Sequence, residues 1–351
     1  MNPNPSLTFS RRKFLRQSAA ALAVPLVAPQ ILAKSVAGAN EKLNIAWVGF
    51  GNQGGGDLNA CSNGNNVVAL CDCDPRIWPK RQQQFPEAKF YKDFRKMLEE
   101  MGDKIDAVGV GTPDHTHFAV AYMAMSMGKH VFVQKPLVHS LWQARTLRKL
   151  AVEKSLVTQM GNQGHAFEGA RLVKEWYEAG LIGEVREVIT WTDRPKSGWG
   201  FNGQVKTEFP TAEDLPEGMD WDMPGGGGFI MVGEKGGIFH GDMRPNSPRL
   251  YPQARWNEYR ENPAKQVPKT IPRVPGIHRD WIDSVRNGTK ACSDFSYSGP
   301  LTEAILLGAL AIRTGKGLDW DTGEMKISGN PEAAALINPE ARKGWRPEDL
   351  A

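Results

Sequence analysis

Leu43-Asn44-Ile45-Ala46-Trp47-Val48-Gly49-Phe50-Gly51-Asn52-Gln53-Gly54 is the stretch on which the reading of this chain turns. Leu43, Ile45 and Val48, with Ala46 and Trp47 between them, form a short apolar run of the kind buried in a parallel sheet. The run passes straight into Gly49-Phe50-Gly51-Asn52-Gln53-Gly54, a GxGxxG spacing. In a dinucleotide site each glycine has a mechanical task. Gly49 makes the tight turn, Gly51 lets the backbone approach a pyrophosphate, and Gly54 lets the next helix pack close to the strand. The helix N-terminus then offers unpaired N–H groups and a positive dipole end to the phosphates. Alone, the spacing is weak, because glycine is common in loops.

Working outward, a second apolar run, Val67-Val68-Ala69-Leu70-Cys71, ends in Asp72, 23 residues after Gly49. That is close to the offset of about 20 at which an acid meets the adenosine ribose hydroxyls. A carboxylate there repels a 2′-phosphate, so NAD is favoured over NADP. The competing reading is a strand-terminal Asp in a turn, helped by Asp74-Pro75, but strand, glycines and acid in register favour the dinucleotide. Phe90 to Met101 is predicted as an amphipathic helix, with Phe94, Met97, Leu98 and Met101 at helical spacing. A third strand, Asp106 to Val110, ends in Gly111-Thr112-Pro113-Asp114-His115-Thr116-His117, and a helix from Phe118 to Met127 stops at Gly128. His130-Val131-Phe132-Val133 is another strand, leading into Gln134-Lys135-Pro136. Leu156 to Met160 is the strand predicted to close the first domain.

The formal charge of +4 belongs to the leader. Residues 1–39 carry Arg11, Arg12, Lys13, Arg16 and Lys34 and no acid; the remainder has 38 basic and 39 acidic residues. No basic patch is left to argue for nucleic acid. Ser10-Arg11-Arg12-Lys13-Phe14-Leu15, an apolar stretch from Ala19 to Ala33 and the small residues Ala37-Gly38-Ala39 resemble a twin-arginine export signal, which implies a periplasmic or otherwise extracytoplasmic destination. The apolar stretch, broken by Pro25 and Pro29, is too short for a stable membrane span. Cys61, Cys71, Cys73 and Cys292 form no metal pattern, and no metal is expected.

The order GxGxxG, acidic strand end, Thr112-Pro113 with His117, Gly128-Lys129-His130-Val131 and Lys135-Pro136 resembles the Gfo/Idh/MocA oxidoreductases. Met160-Gly161-Asn162-Gln163-Gly164-His165 and Trp191-Thr192-Asp193-Arg194-Pro195 extend the likeness to that family's exported bacterial branch. The resemblance implies bound NAD, a small carbohydrate substrate and a homo-oligomer. By position it implies cofactor contacts at Gly49, Phe50, Gly51, Asn52, Gln53, Gly54, Asp72, Thr112, Pro113, His117, Gln134 and Gln163. Lys135 matches the lysine of the family's Glu-Lys-Pro motif, which handles the proton of the reacting hydroxyl; Gln134 stands where that glutamate is customary. A lysine at the carboxyl end of a parallel strand also suits the chemistry, since it faces the crevice and can assist an alcohol losing its proton. In isolation Lys135 reads better as a solvated lysine before a proline turn; the surrounding pattern turns the reading to the active site. His165, in a glycine-bracketed turn, is the second catalytic candidate, with a surface residue as the equal alternative.

The fold expected is α/β: a doubly wound parallel sheet followed by a shortened α+β domain with an open, mostly antiparallel sheet. The divisions are 1–39 signal peptide, 40–163 nucleotide-binding domain, 164–330 shortened substrate and oligomerisation domain, and 331–351 tail. Glu168 to Gly180 is a helix, Val185 to Trp191 an alternating strand, and Phe229 to His240 a hairpin about Gly233-Glu234-Lys235-Gly236. Gly218-Met219-Asp220-Trp221-Asp222 resembles the segment just before the family's substrate loop, yet the Asp-x-Gly-x-His-like motif that should follow has no counterpart. Leu301 to Arg313 is an apolar helix whose Leu306, Leu307, Leu310 and Ile312 default to core. His278 and Asp280 could edge the active cleft, but an N-terminal cap of the helix beginning near His278 is the expected role of Asp280. Three activities are open: oxidation of a sugar or cyclitol hydroxyl, a redox-neutral glycosidase or lyase passing through a keto-sugar, and a catalytically impaired nucleotide-binding remnant.

Overall fold

The computed structural model describes residues 42–192, 227–242 and 246–350. The leader, Asp193-Arg194-Pro195 and the 218–222 segment lie outside the described residues. From Asn44 the chain alternates strand and helix: β1 (Asn44–Val48), α1 (Asn52–Ser62), β2 (Asn66–Cys71), α2 (Trp78–Gln84), β3 (Lys89–Tyr91), α3 (Phe94–Met101), β4 (Ala107–Val110), α4 (Asp114–Ser126), β5 (His130–Gln134), α5 (Leu141–Glu153) and β6 (Thr158–Gly161). These strands pair in parallel in the order β3-β2-β1-β4-β5-β6. Such an order reverses direction at β1, and the crevice outside the carboxyl ends of β1 and β4 is where ligands bind in open α/β sheets.

Period-two alternation divides the strand side chains between two layers. Ala46, Val48, Ala69, Val108, Val110, Val131 and Val133 face α3, α4 and α5, meeting Met97, Leu98, Phe118, Val120 and Leu147. Ile45, Trp47, Leu70 and Phe132 face the other way, onto Leu58 and Cys61 of α1. Trp47 is fully buried, and Gly109 makes room for it: a Cβ on Gly109 would lie 2.0 Å from the indole.

The second sheet follows α6 (Glu168–Glu178). It comprises β7 (Val185–Thr192), β8 (Gly227–Gly233), β9 (Gly236–His240) and β10 (Arg249–Tyr251), antiparallel in the order β10-β9-β8-β7, before α7 (Gln253–Glu261). Trp176, Ile182, Ile238 and Leu250 make a small separate core between α6 and this sheet. The hairpin expected at Phe229 to His240 is present as β8 and β9. β10 has only three residues, too few to show a period.

The chain then returns to the first sheet. On α8 (Ile277–Asn287), Trp281, Ile282 and Val285 join the layer of Trp47 and Phe132. On α9 (Phe295–Thr314), Glu303 is held by Arg145 of α5 at 3.1 Å. The hairpin β11 (Asp319–Asp321) and β12 (Lys326–Ser328), then α10 (Pro331–Ala335), pack Ile327, Ala333 and Ile337 against Leu141 and α9. α11 (Pro347–Leu350) ends with Leu350 buried in the α3–α5 layer. Thus α8, α9 and residues 345–350, assigned by sequence to the second domain and the tail, pack on the nucleotide-binding sheet.

Four expectations are corrected. Phe90 and Tyr91 belong to β3, and the helix begins at Phe94, where the Asp93 carboxylate accepts the Arg95 N–H at 2.9 Å and caps it. The helix read from Leu301 begins at Phe295 and carries Pro300 inside it. Ile312 is 85% exposed rather than core, on the side of α9 turned from α5. Asp280 does not cap its helix: the N-cap is Gly276, and the Asp280 carboxylate reaches inward to the Cys292 N–H at 2.6 Å and Gln159 Nε2 at 3.2 Å. By length and hydropathy alone α9 could cross a membrane; here it lies along α5.

Candidate active site

Three glycines meet backbone to backbone at the carboxyl end of β1. Gly49 has φ +80°, and a Cβ on it would lie 2.6 Å from the Thr112 nitrogen. A Cβ on Gly54 would lie 2.3 Å from the Gly49 carbonyl oxygen and 2.6 Å from that of Gly111. Gly51 is different. A Cβ there meets only Ile77, at 3.9 Å, so its backbone faces open space. No side chain caps the first turn of α1, and Gly51, Asn52, Gln53 and Gly54 line a cavity of about 580 Å³. That volume suits a nucleotide-sized ligand.

Gly49, Gly51, Asn52, Gln53, Gly54, Asp72, Thr112 and Pro113 all line this cavity. The Asp72 carboxylate accepts the Phe50 and Asp74 N–H groups, each at 3.0 Å, which holds it at the mouth of β2 with lone pairs to spare. Four other expected cofactor residues are not on the cavity wall. Phe50 turns its ring into the core, edge-on to Phe90 at 6.1 Å. His117 is 1% exposed and lies 2.8 Å from both the Thr112 and Pro136 carbonyl oxygens. Burial pulls its pKa down while the carbonyls oppose that shift, and the ring pins the loop after β4 to the loop after β5. Gln134 and Gln163 point instead to a residue that the sequence reading missed.

That residue is Asp57, fully buried on α1. Its carboxylate accepts from Gln134 Nε2 at 2.7 Å, Gln53 Nε2 at 2.9 Å and Gln163 Nε2 at 3.4 Å, and it contacts His278 Nε2 at 2.7 Å. His278 stacks on Phe132, with ring centres 5.3 Å apart. A buried carboxylate is stable only with such partners. The signal in the sequence was an acid on the inward side of α1, four residues before Cys61 and beside Leu58. Gln134 serves two neighbours: its Nε2 donates to Asp57 and its Oε1 accepts the Lys135 N–H at 2.6 Å. Gly161 leaves it space, since a Cβ there would lie 2.9 Å from the Gln134 amide.

Lys135 is exposed at the end of β5, and no ion pair holds its ammonium among the described residues. His165 does not join it. Its Nδ1 lies 2.7 Å from the Tyr297 hydroxyl, and both line a second cavity of about 330 Å³ with Arg171, Lys174 and Cys292. Burial, aided by the charge of Arg171, lowers the His165 pKa. Asn162, between β6 and His165, has a buried side-chain amide with no hydrogen-bond partner among the described residues. Among the described residues no cluster of His, Cys, Asp and Glu could hold a metal.

Residues 43–162 match the Gfo/Idh/MocA family, described as oxidoreductases with an NAD-binding Rossmann fold. Over these residues the chain is similar to that family. An inositol 2-dehydrogenase/D-chiro-inositol 3-dehydrogenase of Lacticaseibacillus casei is 30% identical over 184 residues, 51% of this chain and 52% of that protein. A glycosyl hydrolase family 109 protein of Shewanella amazonensis is 25% identical over 239 residues, 57% of this chain and 52% of that protein. The chain spans about a third to a half of the length of the first curated relatives it matches. Among solved structures, the WlbA dehydrogenase of Bordetella pertussis in complex with NADH and UDP-GlcNAcA aligns with a TM-score of 0.56 at 17% identity. That alignment covers 80% of this chain and all of WlbA, and it shows a shared fold. The Gfo/Idh/MocA cofactor, NAD, fits the cavity: Gly51 leaves its backbone bare, α1 is uncapped and Asp72 stands at the far side.

Proposed function

We propose that the chain is an NAD-dependent oxidoreductase acting on a hydroxyl of a small sugar or cyclitol, with Lys135 moving the hydroxyl proton. The observation that carries this reading is the Gly49–Gly54 cavity at the carboxyl end of β1, with Lys135, which no ion pair holds among the described residues, at the carboxyl end of β5 in the same parallel sheet. When bound, NAD supplies the hydride acceptor. The uncapped N–H groups of α1 would hold the pyrophosphate, and Asp72 would accept from the ribose hydroxyls. Lys135 Nζ accepts a hydrogen bond from the substrate hydroxyl or takes its proton as the carbon becomes a carbonyl, and its positive form then stabilises that oxygen. Gln134 fixes the Lys135 backbone, and Asp57 fixes Gln134. His165 and Tyr297 lie in a separate cavity and are given no step.

The likeness to a glycosyl hydrolase family 109 protein supports a second reading, a redox-neutral glycosidase or lyase working through a keto-sugar. The twin-arginine-like leader bears on the choice. In an extracytoplasmic compartment without free NAD(H), a cycle that returns the hydride and retains the nucleotide is self-sufficient. The test is isothermal titration with NAD, followed by turnover of polyols and p-nitrophenyl glycosides. Lys135→Ala is expected to lower kcat by about 10²-fold or more and leave NAD affinity unchanged. Unaltered turnover in that variant would remove Lys135 from the mechanism; parent protein that does not bind NAD would remove the reading.

A further inference from the structure

The dinucleotide cavity has a wall from the far end of the chain. Trp345 lines it together with Asp72, Cys73, Lys92, Phe94 and Arg95. The indole packs edge-on to Phe94 with ring centres 5.9 Å apart. The Arg95 guanidinium carbon lies 4.5 Å from the Phe94 ring centre and 4.7 Å from that of Trp345. Arg95 also donates to the Gly344 carbonyl and pairs with Asp93 at 3.2 Å. The segment is locked on both sides of the indole. The Asp349 carboxylate accepts the Gly344 N–H at 2.7 Å and the Arg346 N–H at 3.2 Å, and Leu350 is buried in the core layer under α3 to α5.

We propose that residues 341–350 are part of the cofactor site, with Trp345 and the Arg95 it carries forming the wall against which the adenine of the dinucleotide packs. This rests on the NAD reading and specifies its adenosine half. If Asp72 takes the ribose hydroxyls, the base lies one sugar further from the glycines, toward β3 and α3, where Phe94, Arg95 and Trp345 stand. A purine is flat and uncharged, and it is held by aromatic rings and guanidinium planes. Arg95 is already committed to Asp93 and Gly344 and lies against both rings, so it steadies the wall rather than standing in the cavity as a free cation.

The experiment uses isothermal titration of the full chain with NAD, AMP and NMN, for the parent, Trp345→Ala and Trp345→Phe. Trp345→Ala is expected to weaken NAD and AMP about tenfold, the scale of one base–aromatic contact, and to leave NMN unchanged, while Trp345→Phe retains most of the affinity. AMP alone is expected to slow hydrogen exchange in 341–350 of the parent, a measurement that stands even if Trp345→Ala does not fold. Equal AMP affinities for Trp345→Ala and the parent overturn the proposal, as does exchange in 341–350 that AMP leaves unaltered. A parent that binds neither NAD nor AMP overturns the cofactor reading and this proposal with it. A loss confined to AMP and NAD in the variant, with NMN intact, supports both.

Discussion

Gln134→Glu should be far more damaging than its single-atom change suggests. In the parent, Gln134 Nε2 donates to Asp57 at 2.7 Å, and both side chains are almost wholly shielded from water. The variant replaces that donor with a second carboxylate oxygen. Either two buried negative charges face each other, or the pair holds a proton between them. Breaking a buried charge contact of this kind costs about 3–5 kcal/mol, a large part of a domain's total stability of about 5–15 kcal/mol. The pH dependence has a definite sign. A proton held by the folded pair but released by the unfolded chain makes the deficit small below about pH 4, where both states are protonated. The deficit grows as pH rises, by about 1.4 kcal/mol per unit, until the folded pair ionises. Asp57→Asn alone is also frustrated. Its single amide oxygen can face Gln134 Nε2 or the Gln53, Gln163 and His278 side, not both, and turning the Gln134 amide over would set a donor against the Lys135 N–H. The double variant Asp57→Asn/Gln134→Glu restores donor to acceptor at both contacts. Urea denaturation of the four proteins should therefore give a coupling of about 2–3 kcal/mol in favour of the double variant. Additive losses, or a Gln134→Glu deficit that is the same at pH 4 and pH 8, would refute the reasoning.

Arg273 ties 271–274 to α6 by pairing with Glu168 at 2.7 Å and Glu175 at 2.5 Å. Hydrogen bonds from Arg273 first, then Lys269, hold the Glu168 pKa down to about 2, and Arg273 lowers that of Glu175 as well. Both folded values lie below the unfolded ones, so this stability is present above about pH 4.5 and is lost as pH falls toward 2. Arg273→Ala should cost about 2 kcal/mol at pH 7 by leaving buried Glu175 without its cation, and should flatten the acid limb of a Tm–pH curve. An acid limb of unchanged slope in that variant would remove the pairing from the account. Cys73 is exposed and lines the dinucleotide cavity, whereas burial raises the Cys61 thiol pKa and pushes Cys71 and Cys292 up to about 12 and about 11. Iodoacetamide should modify Cys73 first, and NAD should block it; labelling indifferent to NAD would place the cofactor elsewhere. Asp72→Ser should narrow the NAD preference over NADP by about 1–3 kcal/mol, measured as the ratio of the two Kd values.

How far the sequence reaches depends on how local each determinant is. Gly49, Gly51 and Gly54 could be read directly, because their tasks are set by backbone geometry within six residues and by a strand that announces itself through apolarity. Asp72 and Lys135 could be read because βαβ alternation places strand ends in register at one edge of a parallel sheet. The Asp57 cluster could not. Its partners Gln53, Gln134, Gln163 and His278 are spread over more than 200 residues, and amides show no periodicity that would link them. The same limit applies to Trp345, which follows a stretch rich in Pro and charge and shows no pattern until Phe94 and Arg95 are placed beside it. It also explains the departure at Gln134. Read alone, a glutamine where the family resemblance leads one to expect glutamate looks like a weakened cofactor contact. Beside a fully buried Asp57 it is the side chain that fits, since it alone offers a donor to that carboxylate and an acceptor to the Lys135 N–H. The negative charge expected at 134 has not been lost from the site. It sits one helix away, on Asp57, and the amide carries its influence to the backbone of the lysine proposed to do the chemistry.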